Sequence, residues 1–344
     1  MDARQIPWVE KYRPSKLDEV AAQGNTVEVL RKSLKLANLP HMLFYGPPGT
    51  GKTSTILALC KELFGPKLMK SRVLELNASD ERGINVVRKS IKTFAQLTVS
   101  AATPEDKQNY PCPPFKVIIL DEADSMTQDA QGALRRIMEN YSEITRFCLV
   151  CNYVTRIIDP VTSRCSKFRF TSLDRNSALA RLDYIRSNEG LMCEDGVLDL
   201  LLHAANGDLR KAITYLQSAS MFHQGAAENG MEVDSTTVTM ESVQEITGLV
   251  PESVIEGFLQ LTESIDVDTI KRAVEDAVND GWSATQILSQ FHDTIIQNSL
   301  IGTNAKTEIS LLLSRIDRCL TDGADEELTL LDLLVQCAEI RSKY

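Results

Sequence analysis

The sequence contains no long hydrophobic run, and nowhere does it approach the roughly 18 consecutive apolar residues of a membrane-spanning helix. We therefore expect no membrane partner. The first residues, Met1 to Gln5, open no apolar segment, which predicts no secretory signal. The eight cysteines lack the regular pairing of a disulfide framework, which is typical of a reducing cytosolic or nuclear compartment.

One pair of cysteines has the spacing of a metal or redox motif. Cys148 and Cys151 form a C-x-x-C pattern, but they lie in the apolar run Phe147–Cys151, which predicts a buried strand. No second pair follows at zinc-ligand spacing. We interpret both cysteines as core residues, with a metal or redox role as the alternative.

The formal net charge is −10, which taken alone argues against a nucleic-acid partner. The two halves of the chain differ, however. Residues 1–170 contain 25 Lys and Arg against 18 Asp and Glu, whereas residues 171–344 contain 12 against 29. A basic first half and a strongly acidic second half indicate a polyanion near the first half.

Residues 46–53 form a complete phosphate-binding loop, Gly46-Pro47-Pro48-Gly49-Thr50-Gly51-Lys52-Thr53. The apolar run 42–45 predicts a strand before it, and residues 54–59 predict a helix after it. Glycines let backbone N–H groups turn toward a β-phosphate, and the helix N-terminus adds positive potential. We predict that Lys52 binds the phosphates of a nucleoside triphosphate and that the Thr53 hydroxyl ligates Mg²⁺. The alternative is a Gly/Pro turn that fits the pattern by chance.

A second motif follows, in which the run 117–120 ends in Asp121-Glu122-Ala123-Asp124. Its continuous aliphatic residues are typical of a strand buried on both faces of a parallel sheet. The carboxyl end of such a strand lies on the ligand side of the sheet. We predict that Asp121 binds Mg²⁺ through water and that Glu122 orients or deprotonates an attacking water. Asp124 is interpreted as a solvated helix start.

Strand-like runs alternate with helical patterns in the first half, which predicts an α/β domain with a parallel sheet. The runs are 42–45, 73–76, 117–120, 147–151 and 168–170. Residues 174–223 then have helical spacing, and the polar stretch 224–235 predicts a flexible connection. From residue 240 the apolar spacing is helical throughout. The clearest helices there are 270–278, 284–296 and 328–340.

Basic residues cluster on a predicted helix that begins within residues 80–90. Its Arg82, Arg88 and Lys89 would contact phosphates and so follow a duplex without reading its sequence. Aromatic residues that would stack single-stranded bases are absent from this segment. A solvated basic face is the alternative, and the pattern favours neither.

Five motifs occur together in one order, and they resemble the small subunits of replication factor C, the eukaryotic sliding-clamp loader of the AAA+ class. The motifs are Pro7-Trp8-Val9-Glu10-Lys11-Tyr12-Arg13-Pro14, the phosphate loop, Asp121 to Asp124, Ser163-Arg164-Cys165 and Gly207-Asp208-Leu209-Arg210. The resemblance covers essentially the whole chain. It implies an AAA+ P-loop domain with a parallel sheet at 1–171, a small helical lid with the polar connection at 172–235, and an all-α collar at 236–344.

The resemblance also implies a nucleotide site for ATP and Mg²⁺. Val9 and Arg13 would lie against the adenine and ribose, Tyr12 would also bind the cofactor, and residues 46–54, which include Ser54, would surround the phosphates. Asn152 would touch the γ-phosphate or the attacking water. The residues support this, because Asn152 follows the predicted strand 147–151, beside the strand of the Asp121 motif; a strand-ending Asn in a turn is the alternative.

Two arginines have further implied roles. Arg210, at the start of a lid helix, would reach the triphosphate, so that hydrolysis changes the angle between domains. Arg164 would enter the ATP site of the neighbouring subunit, where such an arginine raises the rate by about 10³ to 10⁵. A lone chain should therefore hydrolyse ATP poorly. The implied DNA contacts are Arg82, Ile84, Arg88 and Lys89, and the helix 128–136 would assist them. The alternative for this helix is that Arg135 and Arg136 couple the DNA side to Glu122.

The function implied is that of an ATPase subunit in a hetero-pentameric ring of replication factor C subunits in the nucleus. The ring would open a sliding clamp and place it on primer-template DNA during replication and repair. Apolar candidates for the clamp contact are Phe94, Leu97 and Val99, with core packing as the alternative. The other functions weighed are a different AAA+ motor, such as a branch-migration helicase or an unfoldase, and a ring scaffold whose ATP site is dispensable.

Overall fold

The computed structural model describes residues 6–20, 24–36, 38–79, 87–228, 237–263 and 266–344, without the side chains of 25, 87, 88 and 223–228. The chain forms two compact units, Met1–Thr237 and Val238–Tyr344. No helix in the described ranges combines the length and the apolar character needed to cross a membrane.

The first unit is built on a five-stranded parallel sheet. Its strands are β1 (Met42–Tyr45), β2 (Val73–Asn77), β3 (Lys116–Asp121), β4 (Thr145–Cys151) and β5 (Ser166–Arg169). They lie in the order β2-β3-β4-β1-β5. The predicted α/β arrangement and its five strands are confirmed. Because β3, β4 and β1 are neighbours and parallel, the segments that follow them leave from the same edge of the sheet.

Helices cover both faces of this sheet, as strands that are apolar on both sides require. The helices of the first unit are α1 (Trp8–Lys11), α2 (Gly24–Lys35), α3 (Lys52–Arg72), α4 (Lys92–Gln96), α5 (Pro104–Asn109), α6 (Gln128–Asn140), α7 (Asp159–Thr162), α8 (Arg175–Glu189), α9 (Val197–Ala204) and α10 (Leu209–Glu228), and the last three form the lid. Tight 3-10 turns occur at Leu17–Glu19, Ala123–Ser125 and Val154–Arg156, a π turn at Val87–Ile91, and two-residue strands at Met192–Cys193 and Thr237–Val238.

Side-chain alternation along β4 divides the core between the two faces of the sheet. Cys148 packs in the cluster that includes α2 and α3, whereas Cys151 packs in the cluster that includes α6. Both thiols are free, and the residues are 0% and 1% exposed. Burial raises the pKa of Cys151 to about 12, so the thiol stays protonated at neutral pH. The interpretation of both cysteines as core residues is confirmed.

The lid helix α10 is longer than the sequence pattern indicates. The prediction of a flexible connection over 224–235 is wrong for its first five residues, since the helix continues to Glu228. Ala226, Ala227 and Glu228 favour a helix, and extending an existing helix needs no new nucleation. Residues 229–235 lie outside the described part of the chain.

In the described part of the second unit, helices are joined by short turns and loops, and Val238 ends a two-residue strand. Its helices are α11 (Met240–Thr247), α12 (Glu252–Leu261), α13 (Val267–Asn279), α14 (Ala284–Gln297), α15 (Thr303–Thr321) and α16 (Glu326–Lys343). One hydrophobic cluster draws on α12 to α16, with Phe258, Phe291 and Leu333 among its buried members. The predicted helices 270–278, 284–296 and 328–340 are confirmed as parts of α13, α14 and α16.

A glycine at a break in α3 gives a test of the backbone. Gly65 has a φ of 68°, in the left-handed region that favours glycine, and an added Cβ would lie 2.5 Å from the Tyr110 ring. We expect Gly65→Ala to destabilise the chain by at least about 1–2 kcal/mol, measured as a lower melting temperature.

The matched control is Gly132→Ala within α6, where an added Cβ meets open space. That substitution should leave stability unchanged or raise it by up to about 1 kcal/mol, because alanine loses less entropy in a helix. Equal melting temperatures for the two variants would contradict the strain assigned to Gly65.

Candidate nucleotide site

The phosphate loop joins β1 to α3 and packs closely against the lid. Gly51 precedes α3 with a φ of 83°, and Lys52 is the first helical residue. A Cβ on Gly49 would lie 2.1 Å from a carboxylate oxygen of Asp208, the residue that precedes lid helix α10. The same oxygen accepts the backbone N–H of Arg210 at 2.8 Å. Asp208 therefore fixes the start of α10 directly against the loop.

Lys52 is buried at the centre of this loop, with 7% of its surface exposed. Its Nζ donates to the carbonyl oxygens of Gly46 and Pro47 at 2.8 Å each, and to Oδ1 of Asn152 at 2.9 Å. Burial lowers the pKa of Lys52, and the nearby carboxylate of Asp121 opposes that effect. The ammonium is thus held by oxygen acceptors alone, the kind of group that a phosphate can replace.

The two predicted magnesium ligands are already in contact. Oγ1 of Thr53 donates to Oδ2 of Asp121 at 2.8 Å. Thr53 lies in the first turn of α3, and Asp121 ends β3. A hydroxyl and a carboxylate are hard oxygen ligands of the type that Mg²⁺ takes, so this pair fits the ion.

Glu122 follows Asp121 in an uncommon backbone conformation. Its φ of 51° and ψ of 39° place it in the left-handed helical region, although it is not glycine. Its backbone N–H donates to Oδ1 of Asp121 at 2.9 Å, which supports the turn. Backbone strain of this kind clusters at functional sites. The side chain is exposed at the cavity and therefore accessible to water.

Asn152 lies between the phosphate loop, which follows β1, and the Asp121 motif, which ends β3, because β4 is paired with both strands. Its backbone N–H and that of Tyr153 donate to Oδ2 of Asp124 at 3.2 and 3.1 Å. The interpretation of Asp124 as a solvated helix start is incomplete for this reason. It does lie in the 3-10 turn Ala123–Ser125, but its carboxylate also accepts two backbone N–H groups from the segment that follows β4 and so positions Asn152.

The N-terminal segment contacts the lid and lines the same cavity. The Tyr12 hydroxyl and the Lys11 ammonium donate to Oε1 of Glu189 at 2.5 and 2.6 Å. Arg181 donates to the carbonyl oxygen of Tyr12 at 2.6 Å, and the Trp8 N–H donates to Gln217 at 2.9 Å. Burial and the hydrogen bond to Glu189 raise the pKa of the Tyr12 phenol, which stays protonated.

These elements enclose one cavity beside the phosphate loop. It is lined by Val9, Tyr12, Arg13, Pro14, Glu19, Val20, Pro48, Gly49, Thr50, Gly51, Lys52, Thr53, Ser54, Asp121, Glu122, Asn152, Leu173, Arg181, Leu209, Arg210 and Ile213. Of the predicted nucleotide residues, Gly46 and Pro47 contribute carbonyls to Lys52 without lining the cavity.

Sequence reasoning missed several lining residues. Ile213 lies three positions after Arg210, so helical spacing would have placed both on one face of α10. Arg181 lies on α8, about 130 residues from the phosphate loop, and no local pattern marks it.

Arg164 is absent from the residues that line the cavity. Its guanidinium donates to the carbonyl oxygen of Pro160 at 2.6 Å and pairs with the carboxylate of Glu139. Glu139 lies in the last turn of α6, and Pro160 in α7.

The predicted DNA contacts are only partly described. Arg82 and Ile84 lie outside the described residues, and Arg88 is described in its backbone alone. Lys89 is exposed in the π turn Val87–Ile91. A groove near this turn is lined by basic residues of α4 and α6, namely Lys92, Arg135 and Arg136.

Two family models match the chain. Residues 42–173 match the ATPase family associated with various cellular activities (AAA), and residues 250–336 match the replication factor C C-terminal domain. Among solved structures, the Thermotoga maritima RuvB Holliday junction branch migration motor has a TM-score of 0.53 and 16% identity, covering 73% of this chain and 80% of that one. At this identity the likeness shows the fold alone.

Curated relatives match over nearly the full length. Replication factor C subunit 2 of Saccharomyces cerevisiae is 56% identical, over 98% of this chain and 94% of that protein. Replication factor C subunit 4 of Homo sapiens is 51% identical, over 98% of this chain and 88% of that protein. From the sequence alone we also expect a finer resemblance, to the small subunit called 2 in fungi and 4 in animals, and these two relatives confirm it. With both domains matched and the nucleotide cavity assembled, the chain belongs to the replication factor C family, as a small clamp-loader subunit with an AAA ATPase domain.

Proposed function

We propose that this subunit binds ATP and Mg²⁺ in the cavity beside the phosphate loop and hydrolyses ATP within a hetero-pentameric ring in the nucleus. The ring opens a sliding clamp and places it on primer-template DNA for replication and repair. One observation carries the proposal, namely that two hydrogen-bonded pairs, Lys52 with Asn152 and Thr53 with Asp121, line the same cavity. These residues come from three separate segments, namely the phosphate loop, the end of β3 and the residue after β4.

Binding at this site exchanges one set of oxygen acceptors for another. Lys52 would transfer its ammonium from the loop carbonyls to the β- and γ-phosphates, and Asn152 would keep contact with the γ-phosphate side. Thr53 and Asp121 would hold Mg²⁺, which when bound neutralises charge on the phosphate oxygens. Glu122, exposed at the same edge of the sheet, would orient the attacking water and accept its proton.

The lid would sense the nucleotide through two contacts. Arg210 lines the cavity from the first turn of α10, and Asp208 connects that turn to Gly49. We propose the division into a nucleotide-binding domain at 1–171, a lid at 172–235 and a collar for sister subunits at 236–344. The helical content of 238–344 supports the last part of this proposal.

DNA would lie along the basic surface near the π turn. Lys89 in that turn and the groove formed by Lys92, Arg135 and Arg136 offer a run of positive charge. Phosphate contacts of this kind carry no sequence preference, as loading at any primer junction requires. For the clamp, Leu97 is 55% exposed directly after α4, whereas Phe94 packs partly against the core. We propose Leu97 as the stronger apolar candidate for that contact.

Glu122→Gln separates binding from chemistry. The amide keeps the size and hydrogen bonding of the side chain but cannot accept a proton, so we expect single-turnover hydrolysis to fall by about 10² to 10⁴ while ATP affinity stays unchanged. The control is Glu105→Gln, an exposed carboxylate on α5. Near-normal hydrolysis by Glu122→Gln would remove this residue from the catalytic role.

Arg164→Ala tests whether the arginine acts on a neighbour. The variant should bind ATP at its own site normally, while the adjacent site in the assembled ring loses about 10³-fold or more of its rate. Arg175→Ala, which removes an exposed arginine at the start of α8, is the control. Weaker ATP binding at the variant's own site would show that Arg164 acts in the pocket of its own subunit, contrary to our assignment.

Replacing Arg82, Arg88 and Lys89 with Ala tests the DNA surface. The assembled ring should bind unrelated duplexes more weakly by similar factors. The negative slope of the logarithm of the DNA association constant against the logarithm of the salt concentration should become shallower by about 1 for each lost phosphate contact. Fluorescence anisotropy of primed DNA at several salt concentrations measures both.

The control for that experiment removes the same three charges elsewhere, by replacing the exposed residues Lys32, Lys35 and Lys67 with Ala. If affinity and slope in the test variant match those of this control, the DNA site lies elsewhere on the ring.

A further inference from the structure

Arg164 is held by two acceptors of its own chain, and they come from different elements. Pro160 offers a backbone carbonyl from α7, at 2.6 Å from Nη1, and Glu139 offers a carboxylate from α6 to Nη2. The side chains of Arg164 and Glu139 are 36% and 39% exposed, so the pair is open to solvent on one side. A guanidinium has five donors, and these two bonds leave others for a second anion.

Glu139 also lies near a second arginine. Nε of Arg135, one turn earlier on α6, is 3.8 Å from the same carboxylate oxygen that pairs with Arg164. The helix itself is well anchored, since Leu134 and Met138 are 1% exposed in the core cluster. The carboxylate is therefore presented from a rigid element rather than from a loop.

Helix α6 connects Glu139 to this subunit's own nucleotide site. It begins at Gln128, capped by Thr127, shortly after Asp121, Glu122 and the 3-10 turn Ala123–Ser125. Thirteen helical residues span about 20 Å, which separates the two ends of α6. One helix thus follows the hydrolytic motif at its start and holds the arginine at its end.

We propose that Glu139 is a positioning residue for Arg164, which it orders for the neighbouring subunit's triphosphate before the two subunits meet. This inference rests on the proposed trans role of Arg164. An exposed ion pair contributes little to folding stability, so the pair's value lies in geometry. An arginine with many rotatable bonds loses less freedom on reaching a phosphate when its guanidinium plane is already fixed. Glu139 does not touch ATP; it acts through Arg164.

The test uses the ring assembled from this chain and its co-expressed partners. Arg164→Ala, Glu139→Gln and the double variant are compared by single-turnover and steady-state ATP hydrolysis with primed DNA and clamp. The part of the turnover that Arg164→Ala removes reports the neighbouring site. We expect Glu139→Gln to slow that part by about tenfold or more, up to about a hundredfold, with the KM for ATP unchanged. The double variant should be no slower than Arg164→Ala.

The control is Glu143→Gln, an exposed carboxylate in the turn after α6, which should match the unmodified ring. The inference is overturned if Glu139→Gln leaves the rate unchanged or raises it, if its effect lies in KM, or if its effect adds fully to that of Arg164→Ala. An Arg164→Ala ring with a normal rate would instead overturn the trans role itself, so the two failures are distinguishable.

Discussion

The pairing of β4 between β1 and β3 is the constraint on which the nucleotide site depends. In a sheet buried on both faces, a one-residue slip would move every apolar side chain of a strand to the opposite core. Register is therefore fixed by packing, far from any ligand. With register fixed, the ends of three strands meet at one edge, and side chains 68 and 100 positions apart along the chain come within hydrogen-bond distance. The chemistry at this edge is thus a result of how the hydrophobic core is filled.

Carboxylates that bond to backbone form a second layer around this edge. Asp124 holds the backbone of Asn152, and Asp208 holds the start of the lid helix at Arg210. Each uses a partly buried acceptor to satisfy N–H groups that a turn or a helix start leaves open. Asn152 and Arg210, which we propose to meet the nucleotide, are thereby oriented by neighbouring carboxylates. Such support is what keeps a site near its productive geometry.

The sequence predicts the strands, the phosphate loop and the carboxylates after β3 because each is a local pattern. Continuous apolar residues mark a buried strand, and glycines at fixed spacing mark a backbone that bends around phosphate. Arg181 and Glu189 could not be found this way. They sit on one face of an ordinary charged helix, and their role comes from contact with Tyr12, 169 and 177 positions away. The dual role of Asp124 was missed for the same reason, since its partners, Asn152 and Tyr153, follow a different strand, β4. The helical conformation of residues 224–228 was missed because the stretch 224–235 is polar overall, although its first residues include good helix formers.

The bonds from Lys11 and Tyr12 to Glu189 connect the N-terminal segment to lid helix α8. The same segment lines the pocket with Val9 and Arg13. A lid that rotates must either carry this segment with it or break a charged contact and a phenolic hydrogen bond together. The angle of the lid and the shape of the cavity wall formed by Val9 and Arg13 are therefore coupled. A lid movement that left this segment in place would also break the bonds from Trp8 to Gln217 and from Arg181 to the Tyr12 carbonyl.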